Sequence, residues 1–181
     1  FAGTSGQTGY VDGTTTSGVK FGTTFSLAAT ATNIYVSDST NHSIRSILIS
    51  DKSVSTLAGS TSGISGVIDS PMPGQGTIAR FNNPAGIVTD GTNLYVADSG
   101  NHTIRKIVIA TGVVTTIAGT AGTPGSKDTT TGPGTQALFN TPIGLALDAT
   151  NGFLYVSDQN YTKVRKIVLS TGVVTTLSAT F

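Results

Sequence analysis

Asp38, Asp98 and Asp158 recur at a constant spacing of 60 residues, and Arg45, Arg105 and Arg165 keep step with them. A carboxylate and a guanidinium at a fixed offset can bind an anion, move a proton, or form an ion pair that ties strands together. Catalytic sites are seldom repeated identically within one chain, so the repetition predicts a structural ladder of Asp38, Asp98, Asp158, Arg45, Arg105 and Arg165. Asp12, Asp69 and Asp128 each occur once in a Gly-rich stretch, where carboxylate and carbonyl oxygens suit Ca²⁺. They lack the dense alternating acidic spacing of a dedicated calcium loop, and a turn role is favoured. His42 and His102 are the only two histidines. Two imidazoles cannot make a three-histidine zinc site, and the simpler expectation is a turn residue bonded to backbone.

The composition narrows the chemistry further. Ten Lys and Arg against nine acidic residues, all Asp, give a net charge of +1. That balance supplies no bulk attraction to phosphate, so nucleic acid is not an expected partner. The absence of Cys excludes disulfides and thiolate metal sites, and the glycines precede strands rather than helices, which excludes a phosphate-cradling loop. No catalytic residue, metal or cofactor is assigned, and the chain is not expected to be an enzyme. Ser and Thr are abundant while only 10% of residues are charged, which suits a secreted or cell-surface β-protein. No run approaches eighteen consecutive apolar residues, so membrane insertion is not expected. The chain opens on Phe without a basic leader and reads as a processed or excised piece. Asn41, Asn101 and Asn160 each begin a glycosylation sequon, which follows from a recurring turn.

The elements that must hold these residues form three copies of one unit. The segments 33–38, 93–98 and 153–158 align, as do 55–57, 115–117 and 175–177, while Phe21, Phe81 and Phe139 each lead into an apolar run. One module over 1–181 with repeats at about 1–56, 57–116 and 117–181 accounts for the chain. In the second copy, residues 85–90, 94–98, 103–110 and 113–118 read as strands rich in Val, Ile, Thr and Tyr, joined by turn residues. Each unit is therefore an antiparallel meander, and the fold is all-β. Residues 104–109 are apolar on both faces, which requires neighbouring units to stack. The Gly-rich stretches 59–76 and 119–134 are too long for tight turns and read as surface loops at one rim. Phe1-Ala2-Gly3 matches Leu57-Ala58-Gly59 and Ile117-Ala118-Gly119 and could complete a strand in a neighbouring copy.

The run Phe81-Asn82-Asn83-Pro84-Ala85-Gly86-Ile87, with Leu94-Tyr95-Val96-Ala97-Asp98-Ser99-Gly100-Asn101-His102-Thr103-Ile104-Arg105-Lys106-Ile107, closely resembles the NHL repeat. The first copy keeps Asn41-His42-Ser43-Ile44-Arg45 but reads Thr24-Phe25-Ser26-Leu27 where the others carry Pro84 or Pro142. The third reads Gln159-Asn160-Tyr161-Thr162-Lys163-Val164-Arg165. The resemblance implies a β-propeller of four-stranded antiparallel blades, three in this chain, as half of a six-bladed ring or as an open array. Closed propellers need roughly four to eight blades. The expected partners are therefore a ring-closing or head-to-tail second copy, with Phe1, Ala2, Gly3 and Phe181 at the contact, or missing blades of a longer chain. The zinc histidines of NHL-type amidating lyases have no counterpart here, and the acidic ligands of metal-dependent propeller hydrolases are not matched. The expected function is a non-catalytic scaffold, possible subunit of an extracellular assembly or filament, with rim loops for binding; a propeller-enzyme fragment and an RNA-binding propeller are the alternatives.

Overall fold

The computed structural model describes residues 2–14 and 18–177. Three four-stranded antiparallel sheets follow one another along the chain. The first blade holds β1 (Thr24–Ala29), β2 (Asn33–Asp38), β3 (Ser43–Leu48) and β4 (Val54–Gly59); the second holds β5 (Pro84–Thr89), β6 (Asn93–Asp98), β7 (Thr103–Val108) and β8 (Val114–Ala118). The third holds β9 (Pro142–Asp148), β10 (Phe153–Asp158), β11 (Lys163–Val168) and β12 (Val174–Thr176). These bounds follow the β-branched and aromatic runs of the sequence, and each sheet keeps sequence order, as short hairpin connections dictate. The stack is open: blade one meets blade two through β1 and β5, and blade two meets blade three through β5 and β9.

Strand alternation sends two sets of apolar side chains to opposite faces, and each seam buries one set from either side. Ala28, Tyr35, Ile44 and Ala58 of blade one pack with Ile87, Leu94, Val96, Ile107 and Val114 of blade two. Tyr95, Ala97, Ile104 and Ala118 of blade two pack with Leu154, Val156, Ile167 and Val174 of blade three. Each fully buried Leu or Ile stabilises the stack by about 1.5–3 kcal/mol. Close approach of the inner strands needs Gly86, since a Cβ there would sit 2.2 Å from the Ile143 carbonyl oxygen.

The interblade segments take a different course from the single-rim loops that their composition suggests. Each crosses to the outer edge of the blade it precedes and pairs there. Gly13 exchanges backbone hydrogen bonds with Val54, and Ser70 does so with Val114, while the Thr129 N–H donates to Val174 O. This covers the exposed edge of the fourth strand. The chain then turns through Gly76–Ile78 or Gly134–Gln136, wedged against the end of the preceding blade. Gly76 fits because a Cβ would lie 2.3 Å from Leu57 O.

Gly119 closes β8 at φ +91, with the position of its absent Cβ 2.4 Å from His102 O. Gly91 has nearly the same φ, +89, in open space. Gly119→Ala should therefore lose about 2–3 kcal/mol in a urea melt and Gly91→Ala only about 1 kcal/mol. Equal losses would show that the seam yields freely.

Candidate functional site: buried guanidinium clamps

The third strand of every blade carries one arginine with no exposed side-chain surface, and the second strand ends in an equally buried aspartate. Hairpin register brings the two together: Arg105 lies opposite Val96 and Thr103 opposite Asp98. Arg105 Nη1 donates to Asp98 Oδ2 at 2.8 Å, Arg45 Nη1 to Asp38 Oδ2 at 2.9 Å, and Arg165 Nη1 to Asp158 Oδ2 at 3.2 Å. The same Nη1 groups also donate to the carbonyls of Arg80, Lys20 and Leu138, the residues just before the recurring phenylalanines. Phe81 and Phe139 lie 4.8 Å from the guanidinium carbons of Arg105 and Arg165, and Phe21 lies 5.0 Å from that of Arg45. A ring face against a desolvated guanidinium adds electrostatic attraction to its packing.

The other arm of each guanidinium reaches the interblade segment. Arg105 Nη2 donates to Asp69 Oδ1 at 2.7 Å and to Ile68 O at 2.9 Å. Arg165 Nη2 binds Asp128 Oδ1 at 2.7 Å and Lys127 O at 2.9 Å, and Arg45 Nη2 binds Asp12 Oδ1 at 2.5 Å and Val11 O at 3.0 Å. The three loop aspartates considered for calcium thus each face a guanidinium. They also accept the backbone N–H and hydroxyl of Thr56, Thr116 or Thr176. Among the described residues no group of three or more His, Cys, Asp or Glu side chains converges to hold a metal. Blade one differs in detail: Arg45 Nε reaches Asp12 at 3.2 Å, and the Tyr10 ring lies 4.6 Å from its guanidinium carbon.

Asp98 illustrates the electrostatics. Burial pushes its carboxyl up to about 6, opposed by Arg105, the Asn82 N–H and the Asn101 amide. The pair is consequently charged at neutral pH. Burial pushes Asp158 up in the same way. Half-exposed Asp128 also feels burial, but Thr176 and Arg165 outweigh it and hold the carboxyl below its ordinary value. Each clamp thereby pairs both Nη arms of its guanidinium with protein groups, while Nε of Arg105 and of Arg165 is buried without a partner among the described residues, and its chemistry is attachment: blade, loop and phenylalanine are held by one cation.

The histidines do a second job. Both sit at positive φ after a 3-10 turn, at 54° for His42 and 60° for His102. Their Nδ1 atoms accept the N–H of Asn83 and of Thr141, each at 3.1 Å, so each histidine staples its blade to the next. Thr162 occupies the corresponding position in blade three. Asn41 and Asn101 donate their amides to the inner aspartates and to Gly9 O and Gly66 O, which commits those sequon side chains to the fold. Asn160 is shifted one place, at the position of Gly100, and is exposed; Tyr161 stands where Asn101 would be. Ala2 and Gly3 lie beside Phe21, while Phe1 and Phe181 fall outside the described residues. The loop aspartates and phenylalanines were visible as recurring residues, but their convergence on arginine was not.

Residues 81–107 match the family model of the NHL repeat. The chain is 31% identical over 80% of its length to human NHL repeat-containing protein 2, and it spans about 20% of that protein. Among solved structures it is similar to an auxiliary nutrient binding protein of Bacteroides thetaiotaomicron, with 21% identity and a TM-score of 0.61, covering 81% of this chain and 35% of that one. It is also similar in fold to virginiamycin B lyase of Staphylococcus aureus, with 11% identity and a TM-score of 0.58, covering 92% and 45%.

Arg105→Ala leaves Asp98 buried without its cation and should cost about 3–5 kcal/mol in chemical denaturation. Asp69→Asn, at a 41% exposed carboxylate, should cost no more than about 1 kcal/mol. An Arg105→Ala melt coincident with wild type would contradict the clamp. Burial also holds both imidazoles below the ordinary 6.5, with Asp158 partly offsetting it at His102. Since Nδ1 must be unprotonated to accept, the staples contribute fully above pH 6.5 and are lost as pH falls through the lowered folded values. Nitrogen NMR should find Nε2–H tautomers titrating below 6.5; a titration at or above it would break the staple assignment.

Proposed function

The chain belongs to the NHL-repeat family, and from that premise we propose that it is a non-catalytic propeller scaffold, secreted or surface-exposed, that works by blade-on-blade association and presents its interblade segments for binding. The observation that carries this reading is the state of the two end faces. Ile44 and Ile104 are fully buried by the following blade, whereas Val164 at the same position is 47% exposed. At the other end, Ile87 is 2% exposed beneath blade one, whereas the corresponding Leu27 is 63% exposed. One end thus presents the face that each seam buries from one side, and the other presents its complement. An open groove of about 660 Å³ is lined by the N-terminal residues 2–8 together with Phe21, Leu27, Val36 and Ile47. Low charge and abundant Ser and Thr support an extracellular setting.

Uncovered apolar faces of this kind favour association. The interblade segment before blade two adds an apolar strip, with Ile64, Val67, Ile68 and Met72 all exposed. Light scattering after gel filtration, with negative-stain imaging, checks the reading. A two-chain mass with ring-shaped particles, or extended fibres, is the expected result; a strictly monomeric species at high micromolar concentration would exclude self-association.

A further inference from the structure

We propose that Asn151 is a site of spontaneous covalent modification, converting to aspartate and its β-linked isomer by attack of the Gly152 backbone nitrogen. Asn151 is the only asparagine in the sequence that precedes a glycine. It is exposed, in the turn that joins β9 to β10 beyond the pair formed by Asp148 and Phe153. A side chain on the following residue obstructs this attack, and glycine brings none. Gly152 has φ +70, and a Cβ built on it would meet nothing within 4 Å, so a ring closing there has room.

The attacking nitrogen must also be free. In two other places an aspartate precedes a glycine, Asp12-Gly13 and Asp90-Gly91, and in both the glycine N–H is engaged. Gly13 N–H donates to Val54 O at 3.0 Å, and Gly91 N–H to Thr89 Oγ1 at 3.0 Å. The hairpin glycines Gly112 and Gly172 likewise donate to Val108 O and Val168 O. Among the described residues Gly152 N–H meets no acceptor. Asn33 and Asn93 open β2 and β6 and are followed by Ile34 and Leu94, which are held in the ladder opposite Ile47 and Ile107.

In the reaction Gly152 N gives its proton to hydroxide and bonds to Asn151 Cγ. The Cγ–Nδ2 bond breaks, the nitrogen takes a proton from water and leaves as ammonia, and a cyclic imide remains. Water then opens the imide at either carbonyl, leaving a carboxylate on aspartate or on isoaspartate, with no oxidant or cofactor consumed. The consequences are local. Asn151 Nδ2 donates to Asp148 Oδ2 at 2.8 Å, and conversion replaces that donor with a second negative charge. Gly152 O accepts from Leu169 N–H at 2.9 Å, so the altered turn is bonded to the residue that follows β11. The new charge also cancels the net +1 of the sequence.

Isoelectric focusing and peptide mass mapping of the folded chain, held in mildly alkaline buffer at body temperature, test the assignment. An acidic species should accumulate over weeks, carrying aspartate and isoaspartate at residue 151 while Asn33 and Asn93 keep their amides. Its rate should rise in proportion to hydroxide and lie within severalfold of that of a free peptide of residues 146–156. Gly152→Ala should slow the conversion severalfold, and Asn151→Gln, which leaves the turn backbone unchanged, should remove the acidic species. An Asn151 amide that stays intact, a rate far below that of the peptide, or an acidic species that survives Asn151→Gln would overturn the proposal.

Discussion

Everything in this fold hangs on a guanidinium held between two carboxylates out of water. Placing a cation inside an ordinary β-sheet core is costly, and its net contribution comes only when every charge it meets is compensated. Here the fork of Arg105 spans the buried Asp98 and the half-exposed Asp69 while two carbonyls take its remaining Nη protons. Lysine could not replace it. An ammonium offers a point charge, whereas this site needs a planar group that directs bonds to both sides and lays its face on Phe81.

The clamp also explains how long Gly-rich segments become ordered. Residues 60–83 have few apolar side chains to bury, and their backbone polar groups would otherwise be left to solvent or to chance. Arg105 collects two of those carbonyls and one carboxylate, Ser70 pairs with the edge of β8, and Phe81 enters the seam. The loop is consequently tied to the blade it precedes, and the next histidine staple ties that blade to its successor. Order passes along the stack by nearest neighbours, as in other repeat proteins.

Much of this was legible in the sequence, for definite reasons. The 60-residue repeat, the four strands per unit and the face-to-face stacking follow from periodicity and from apolar residues on both sides of residues 104–109. The Asp98–Arg105 pair followed because a two-residue-period hairpin has one register compatible with burial. The Asp69–Arg105 contact was hidden because it crosses an irregular loop, where the separation changes from 33 residues in the Arg45–Asp12 pair to 36 for Arg105–Asp69 and 37 for Arg165–Asp128. The target of His102 lies in another blade, 39 residues away, and no local pattern encodes it. Asn160 misled for the opposite reason: its sequon imitates Asn101, but counting from Asp158 places it one residue early.

Where three copies share a design, the differences between them indicate which positions answer to something other than folding. The clamps are nearly identical, which marks them as architecture. Two departures lie in exposed segments. One is the end-blade turn, where Tyr161, Thr162 and Lys163 replace Asn101, His102 and Thr103; the other is the segment before blade two, whose Ile64, Val67, Ile68 and Met72 have no apolar counterparts in residues 121–132. These side chains lie on surfaces that the clamps hold rigid at the base, so under the proposed scaffold role recognition would fall to what the repeats do not share.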